Sequence, residues 1–281
     1  MKDNNERSVF FDSIARTYAL KEKHDYDFSF RKNALSEAKK FIKKTKHAKK
    51  RLSILEAGCG NGKLTLELLK YPEIEITAID FSQEMLNVLK ARISSYVKKR
   101  KIRRRVRILK SDITKLSFKH QFDIALLINV LVNVNDKSAL AKMIKKISEA
   151  LKTDGTIILS IYSINIFTRM YFSLWYNARK LLKKTGLITT YIPVVSHNPV
   201  EIKKILMEND IKIIKEIPIF LTKNPTPVNL APSNIKNKFC AIIHGRQNIF
   251  TLIRYVFFSL FVQLDIVFKS KIGYIIVGKK E

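Results

Sequence analysis

Residues 54–62 read ILEAGCGNG, and the run 74–80 that follows reads IEITAID. An apolar stretch carrying Glu56, then Gly58, Gly60 and Gly62 at alternate positions, then the helix-forming residues 63–70, describes a strand that turns sharply into a helix. Glycine admits backbone angles closed to other residues and leaves room for a ligand to lie against the main chain. Asp80 ends the second run about 20 residues beyond the loop, where a strand-tip carboxylate meets the ribose hydroxyls of a bound nucleotide. The pairing predicts an adenosine-type cofactor site in this half of the chain.

The glycine spacing narrows the cofactor. It is G-x-G-x-G, whereas a dinucleotide site needs its third glycine one residue further on and aims a helix N-terminus at a pyrophosphate. Glu56 sits just ahead of the loop. An acid there repels a pyrophosphate and suits a ligand with an ammonium group and a sulfonium charge.

With these residues the segment resembles motif I of the class I S-adenosylmethionine-dependent methyltransferases, [DE]-x-G-x-G-x-G. The resemblance continues in order along the chain. Residues 78–86, AIDFSQEML, look like the acidic-loop segment, which implies that Asp80 holds the ribose hydroxyls while Phe81 and Met85 flank the adenine. Residues 110–113, KSDI, are similar to the end of the third strand, where Asp112 would cap the adenine amino group beside Ile113. Residues 122–134, FDIALLINVLVNV, look like the fourth strand and the loop beside the methyl group, with Asn129 in that loop. Residues 151–160, LKTDGTIILS, match the turn into the fifth strand, with Asp154 in place of the usual first glycine. Upstream, residues 10–18, FFDSIARTY, resemble the N-terminal helix of the ubiquinone/menaquinone-biosynthesis type, in which Tyr18 would help close over the cofactor. The implied cofactor is S-adenosyl-L-methionine as methyl donor.

Read without the resemblance, Asp80 and Asp112 would each cap the helical turn that follows, an interaction of about 1 kcal/mol. Cys59 would be a small residue filling the turn. Only two cysteines occur, Cys59 and Cys240, which suggests neither a disulfide framework nor a zinc site. The polar N-terminus lacks a signal-peptide core, and a cytoplasmic setting is expected.

Strand-like and helix-like runs alternate through residue 162, and 200–209 (helix), 211–220 (strand) and 272–277 (strand) follow. The expected fold is α/β: a Rossmann-like, seven-stranded, mostly parallel sheet with the last strand antiparallel, plus helical lid and insertion segments. The expected division is 1–50, N-terminal helices or lid; 51–162, cofactor-binding core; 163–198, amphipathic helical insertion; 199–221, last core helix and strand; 222–271, apolar helical insertion; and 272–281, closing strand.

Within the insertions, 164–184 carries an apolar stripe holding the only tryptophan, Trp175, and 249–268 is a 20-residue apolar run. Arg254 and Asp265 make a spanning helix costly. A lid or core helix, or a helix lying in a membrane interface, are the other readings. The formal charge is +29, from 53 Lys and Arg against 24 Asp and Glu, with eight basic residues in 39–51 and nine in 98–110. Such a field attracts nucleic acid or anionic lipid, unless it reflects only solvated helix ends and loops.

These features together predict methyl transfer to a hydrophobic small-molecule or lipid-like acceptor, at an anionic membrane surface on its inner face. Val132 and Asn133 stand where the quinone-pathway enzymes carry a His pair, a departure that leaves the acceptor open. One rival is an RNA methyltransferase using the basic surface. Another is a non-catalytic membrane- or partner-binding module on the same fold. No catalytic residue declares itself. His197, in the run 196–206 (SHNPVEIKKIL), is either a helix-start residue or a general base.

Overall fold

The computed structural model describes residues 7–15, 27–46, 51–97, 103–163, 195–220 and 271–281. Helix α1 covers residues 7–15, and α2 (Asp27–Lys46) precedes the first strand. The chain then alternates β1 (Leu52–Ala57), α3 (Lys63–Leu68), β2 (Ile74–Asp80), α4 (Gln83–Val97), β3 (Val106–Lys110), β4 (Phe122–Leu127), α5 (Lys137–Ala150) and β5 (Leu151–Tyr162). It closes with α6 (Pro199–Met207), β6 (Ile211–Phe220) and β7 (Lys271–Lys280).

The seven strands form one sheet in the order β3-β2-β1-β4-β5-β7-β6. The first five run parallel, and β7 lies antiparallel between β5 and β6. The expected seven-stranded, mostly parallel sheet with an antiparallel last strand is what forms. Chain order reverses between β1 and β4, so the crevice beyond their carboxyl ends is where such sheets hold ligands.

Side-chain alternation sends each strand's apolar residues to both faces, as a central parallel sheet requires. Ile54, Ile76, Leu126, Ile158 and Val277 meet Phe30, Ala34 and Ile42 of α2, Leu68 of α3 and Leu86 and Leu89 of α4. Leu55, Ile79, Leu127, Ile157 and Ile276 meet Leu140, Ile144 and Ile147 of α5 and Ile202 and Leu206 of α6. Asp136 caps α5 by accepting from Ser138 N at 2.9 Å, and Asn198 caps α6 by accepting from Val200 N at 3.0 Å, with Pro199 in its first turn.

Two details refine the sequence reading. The helix expected over 63–70 is α3, which ends at Leu68. Asp154, standing where the resembled turn has glycine, adopts φ 64° and holds Lys279 Nζ at 2.7 Å. It thus takes the left-handed conformation that glycine would enter without strain. Tyr18 lies outside the described residues, as do nearly all of 163–198 and 222–271, so both insertions and the apolar run 249–268 do too. Among the described residues no helix is long and apolar enough to cross a membrane.

Candidate functional site

Beyond Ala57 the backbone passes through three left-handed glycines: Gly58 (φ 77°), Gly60 (φ 52°) and Gly62 (φ 78°). Two of them serve close packing. A Cβ on Gly58 would lie 2.4 Å from Val130 Cγ2, and one on Gly62 would lie 2.1 Å from Leu89 Cδ1. Among the described residues a Cβ on Gly60 would meet nothing within 4 Å, so this is where the loop leaves space against its main chain. The N–H groups of Gly58 and Cys59 both donate to the Ile79 carbonyl, at 2.8 and 2.9 Å, tying the loop to the end of β2.

Asp80 completes that tie. Its Oδ2 accepts the Gly60 N–H at 2.7 Å and its Oδ1 the Ser82 N–H at 2.9 Å. Burial pushes the carboxyl up from its ordinary range, with the nearby Asp12 charge adding to the effect, against the opposing N–H bonds from Ser82, Gly60 and Phe81. The cap of α4 is Ser82, whose Oγ accepts the Met85 N–H at 3.1 Å, so the reading of Asp80 as that helix's cap gives way to a loop-holding role.

Beneath the loop, Glu56 is only 4% exposed, and its Oε2 accepts the Thr65 hydroxyl at 2.6 Å. Burial, with the Asp80 charge as a smaller contribution, pushes it up to about 8 despite that bond. The same burial raises the Cys59 thiol, helped by Glu56 and Asp80, which makes Cys59 an inert filler of the turn. Asn61 is 2% exposed, and among the described residues its Nδ2 has no acceptor. Such a lone buried donor costs about 1–3 kcal/mol.

The next two strand ends supply the other predicted residues. Phe81 meets Phe11 of α1 edge to face, with centroids 5.6 Å apart, and Met85 is buried in the first turn of α4. Asp12 of α1 accepts the Ser82 hydroxyl and, at 3.2 Å, the Glu84 N–H, so α1 is fastened to the start of α4. Asp112 Oδ1 accepts Thr114 N at 2.9 Å and Thr114 Oγ1 at 2.8 Å, capping the short turn Ile113–Lys115 as its non-ligand reading expects. The Ile113 side chain packs into the core layer under α5.

Asn129 follows β4 in a left-handed conformation (φ 60°). Its N–H donates to Ser160 Oγ at 2.7 Å, and its carbonyl accepts from Asn133 Nδ2 at 3.3 Å. His197 faces the same loop. Its Nε2 lies 2.8 Å from the Leu131 carbonyl, which can only accept, so Nε2 carries the proton. With Val195 N bonded to the Val132 carbonyl at 2.8 Å, residues 195–197 brace the loop, and Asn198, not His197, starts α6.

The structure therefore gathers Glu56, the three glycines, Asp80, Phe81, Met85, Asp112 and Asn129 at the carboxyl ends of β1 to β4. Sequence reasoning gave no site role to Asn61, Ser82, Asp12 or Ser160. Ser82 stands where a cap follows a strand, a legible signal, whereas the other three act only through tertiary contacts.

The donor set fits a nucleoside with a cationic amino-acid tail: among the described residues there is space over Gly60, the Asp80 carboxylate stands at the tip of β2, and buried Glu56 faces no cation. The family model described as "Methyltransferase domain" matches residues 54–155. The chain is similar to malonyl-[acyl-carrier protein] O-methyltransferase of Priestia megaterium, at 29% identity over 175 residues, covering 61% of this chain and 58% of that protein. It is also similar to the protein of the same name from Acetivibrio thermocellus, at 31% identity over 137 residues, covering 48% and 44%. The chain thus spans about half the length of the curated relatives it matches. Among solved structures, it shares the fold of magnesium protoporphyrin IX methyltransferase from Synechocystis, crystallised with bound S-adenosylhomocysteine, at TM-score 0.60, 13% identity and coverage of 99% and 100%. A methyltransferase of Methanosarcina mazei shares it at TM-score 0.54 and 17% identity, covering 82% and 93%.

Proposed function

We propose that this chain, whose residues 54–155 match the methyltransferase-domain model, is a class I S-adenosylmethionine-dependent methyltransferase that methylates an oxygen of a hydrophobic or lipid-like small molecule. The observation that carries the reading is the single unit made by Asp80 and the Gly60 N–H at the tips of β2 and β1, over the buried Glu56. The preference for oxygen comes from relatives named as O-methyltransferases of a malonyl group on an acyl-carrier protein.

S-adenosylmethionine would supply an electrophilic methyl on a sulfonium, which departs as a neutral thioether. Asp80 would hold the ribose hydroxyls with Phe81 and Met85 beside the adenine. Glu56 would face the ammonium group, and Gly60 would let the ligand lie on the loop. Asn129, held in its left-handed conformation by Ser160, would border the methyl. Alignment and exclusion of water would supply most of the acceleration, because an in-line displacement needs little covalent help from the protein. An acidic acceptor oxygen would need no general base.

A second reading, methylation of RNA, draws on Arg104, Arg107 and Lys110, which lie exposed on or beside the edge strand β3. Peripheral membrane association belongs to the first reading, as the setting in which a lipid-like acceptor would be met.

Calorimetric titration of S-adenosylhomocysteine into the protein tests the assignment. Micromolar binding, followed by label transfer from methyl-labelled donor to small lipid-like carboxylic acids in the presence of anionic vesicles, is the expected result. Saturable, salt-sensitive tRNA binding together with label in RNA would install the second reading. Absence of any S-adenosylhomocysteine binding would defeat both enzyme readings and leave a binding module.

A further inference from the structure

We propose that the Asn61 side-chain amide binds the amino-acid end of the methyl donor and finds its hydrogen-bond acceptor only in that ligand. The inference rests on the function proposed above and adds to it a residue that motif spacing passes over.

Asn61 is held from two directions. Its carbonyl accepts Arg92 Nη1 of α4 at 3.1 Å, and its neighbours Gly60 and Gly62 both hold positive φ. The side chain is 2% exposed, and its Nδ2 donates to nothing among the described residues. Buried polar atoms in folded proteins nearly always have a partner, and each exception calls for an explanation such as a functional role or a buried water. The adjacent residue is Gly60, the loop position at which an added Cβ would meet nothing among the described residues. A ligand laid there lies one residue along the loop from Asn61.

The chemistry of the missing acceptor follows from Glu56. Glu56 is buried in the preceding strand, with the Thr65 hydroxyl as its hydrogen-bond donor and no cation facing it among the described residues. One acid without a cation and one amide donor without an acceptor call for a group bearing both charges. An α-amino-acid terminus supplies an ammonium for the first and a carboxylate for the second. A nucleoside without that terminus satisfies neither. Asn61 is thus assigned to discriminating the amino-acid-bearing donor from plain adenosine derivatives.

The test compares two probes on the full chain by calorimetry: S-adenosylhomocysteine and methylthioadenosine, which lacks the amino-acid terminus. Asn61→Ala is expected to weaken S-adenosylhomocysteine by about tenfold or more while leaving methylthioadenosine unchanged, since loss of a hydrogen bond to a charged group is that large. Asn61→Asp keeps the side-chain size, removes the donor, and is expected to weaken S-adenosylhomocysteine at least as much. It serves as the second variant should Asn61→Ala melt early. Equal weakening of both probes would mean that Asn61 only supports the loop, and would overturn the proposal. So would unchanged S-adenosylhomocysteine affinity in both variants, the result expected if a buried water serves the amide. Failure of the unmodified protein to bind S-adenosylhomocysteine would instead overturn the proposed function itself.

Discussion

Asp80 Oδ2 and the Gly60 nitrogen lie 2.7 Å apart, so the acid at the tip of β2 fixes the shape of the glycine loop at the tip of β1. Removing the carboxylate therefore does more than delete ligand contacts. Asp80→Ala is expected to lower S-adenosylhomocysteine affinity at least about tenfold and to lower the melting temperature, because hydrogen bonds to a charged acceptor contribute about 1.5–3 kcal/mol each. Asp80→Asn keeps one acceptor oxygen and should recover part of the stability. Calorimetry beside thermal melts separates the two effects. Unchanged affinity in a folded Asp80→Ala protein would place the pocket elsewhere.

Glu56 gives a pH signature with a definite sign. Its carboxyl titrates near 8 in the fold against an ordinary value of 4.5, so the folded state holds a proton that the unfolded chain has released. That contribution to stability is complete below about pH 4.5 and is lost as pH rises towards about 8. The ligand-free protein should lose stability across this window, and Glu56→Gln should flatten the slope. An ammonium arriving beside Glu56 favours its ionised form. Binding at neutral pH should then release a proton, seen as a heat of binding that varies with the ionisation enthalpy of the buffer. A buffer-independent heat would argue against Glu56 meeting the cation.

The three loop glycines are unequal, and alanine at each should show it. Gly62→Ala forces a methyl to 2.1 Å from Leu89 Cδ1 and Gly58→Ala one to 2.4 Å from Val130 Cγ2, both in left-handed backbone. Each should destabilise by more than the roughly 1–2 kcal/mol of left-handed strain alone. Gly60→Ala meets no atom of the described residues and should cost only that strain, yet should weaken S-adenosylhomocysteine the most of the three. Equal loss of affinity across the series would remove the distinction between packing and ligand-facing glycines.

How much of this was legible in the sequence depends on which contacts are local. The alternating glycines, Glu56 and the strand-terminal Asp80 lie within one strand–loop–helix–strand unit, and their pattern points to the parallel fold and the cofactor expectation together. The role of Asp80 towards Gly60 was not legible, because a side chain reaching a backbone N–H 20 residues away leaves no periodic trace. Asn61 reads as an ordinary loop residue until its burial is known. His197 carried two meanings in the sequence, and its Nε2 at 2.8 Å from the Leu131 carbonyl adds a third, a brace for the loop after β4. Asp112 caps Thr114, its non-ligand reading, from the strand end where the family resemblance put it.

Asp12 links α1 to the cofactor side and yields the last prediction. It accepts the Ser82 hydroxyl and the Glu84 N–H at the start of α4, where a negative charge also complements the helix dipole. Phe11, one residue before it, packs edge to face on Phe81. Its charge also helps push Asp80 up. Asp12→Asn should thus have two opposed effects. It weakens the attachment of α1, which faster amide exchange at Glu84 would report. It also removes a repulsion, so Asp80 should titrate lower and binding of S-adenosylhomocysteine should persist to more acidic pH than in the unmodified protein. If exchange quickens while the acid limb of the binding profile stays in place, Asp12 acts as a latch alone, and the charge coupling to Asp80 is refuted.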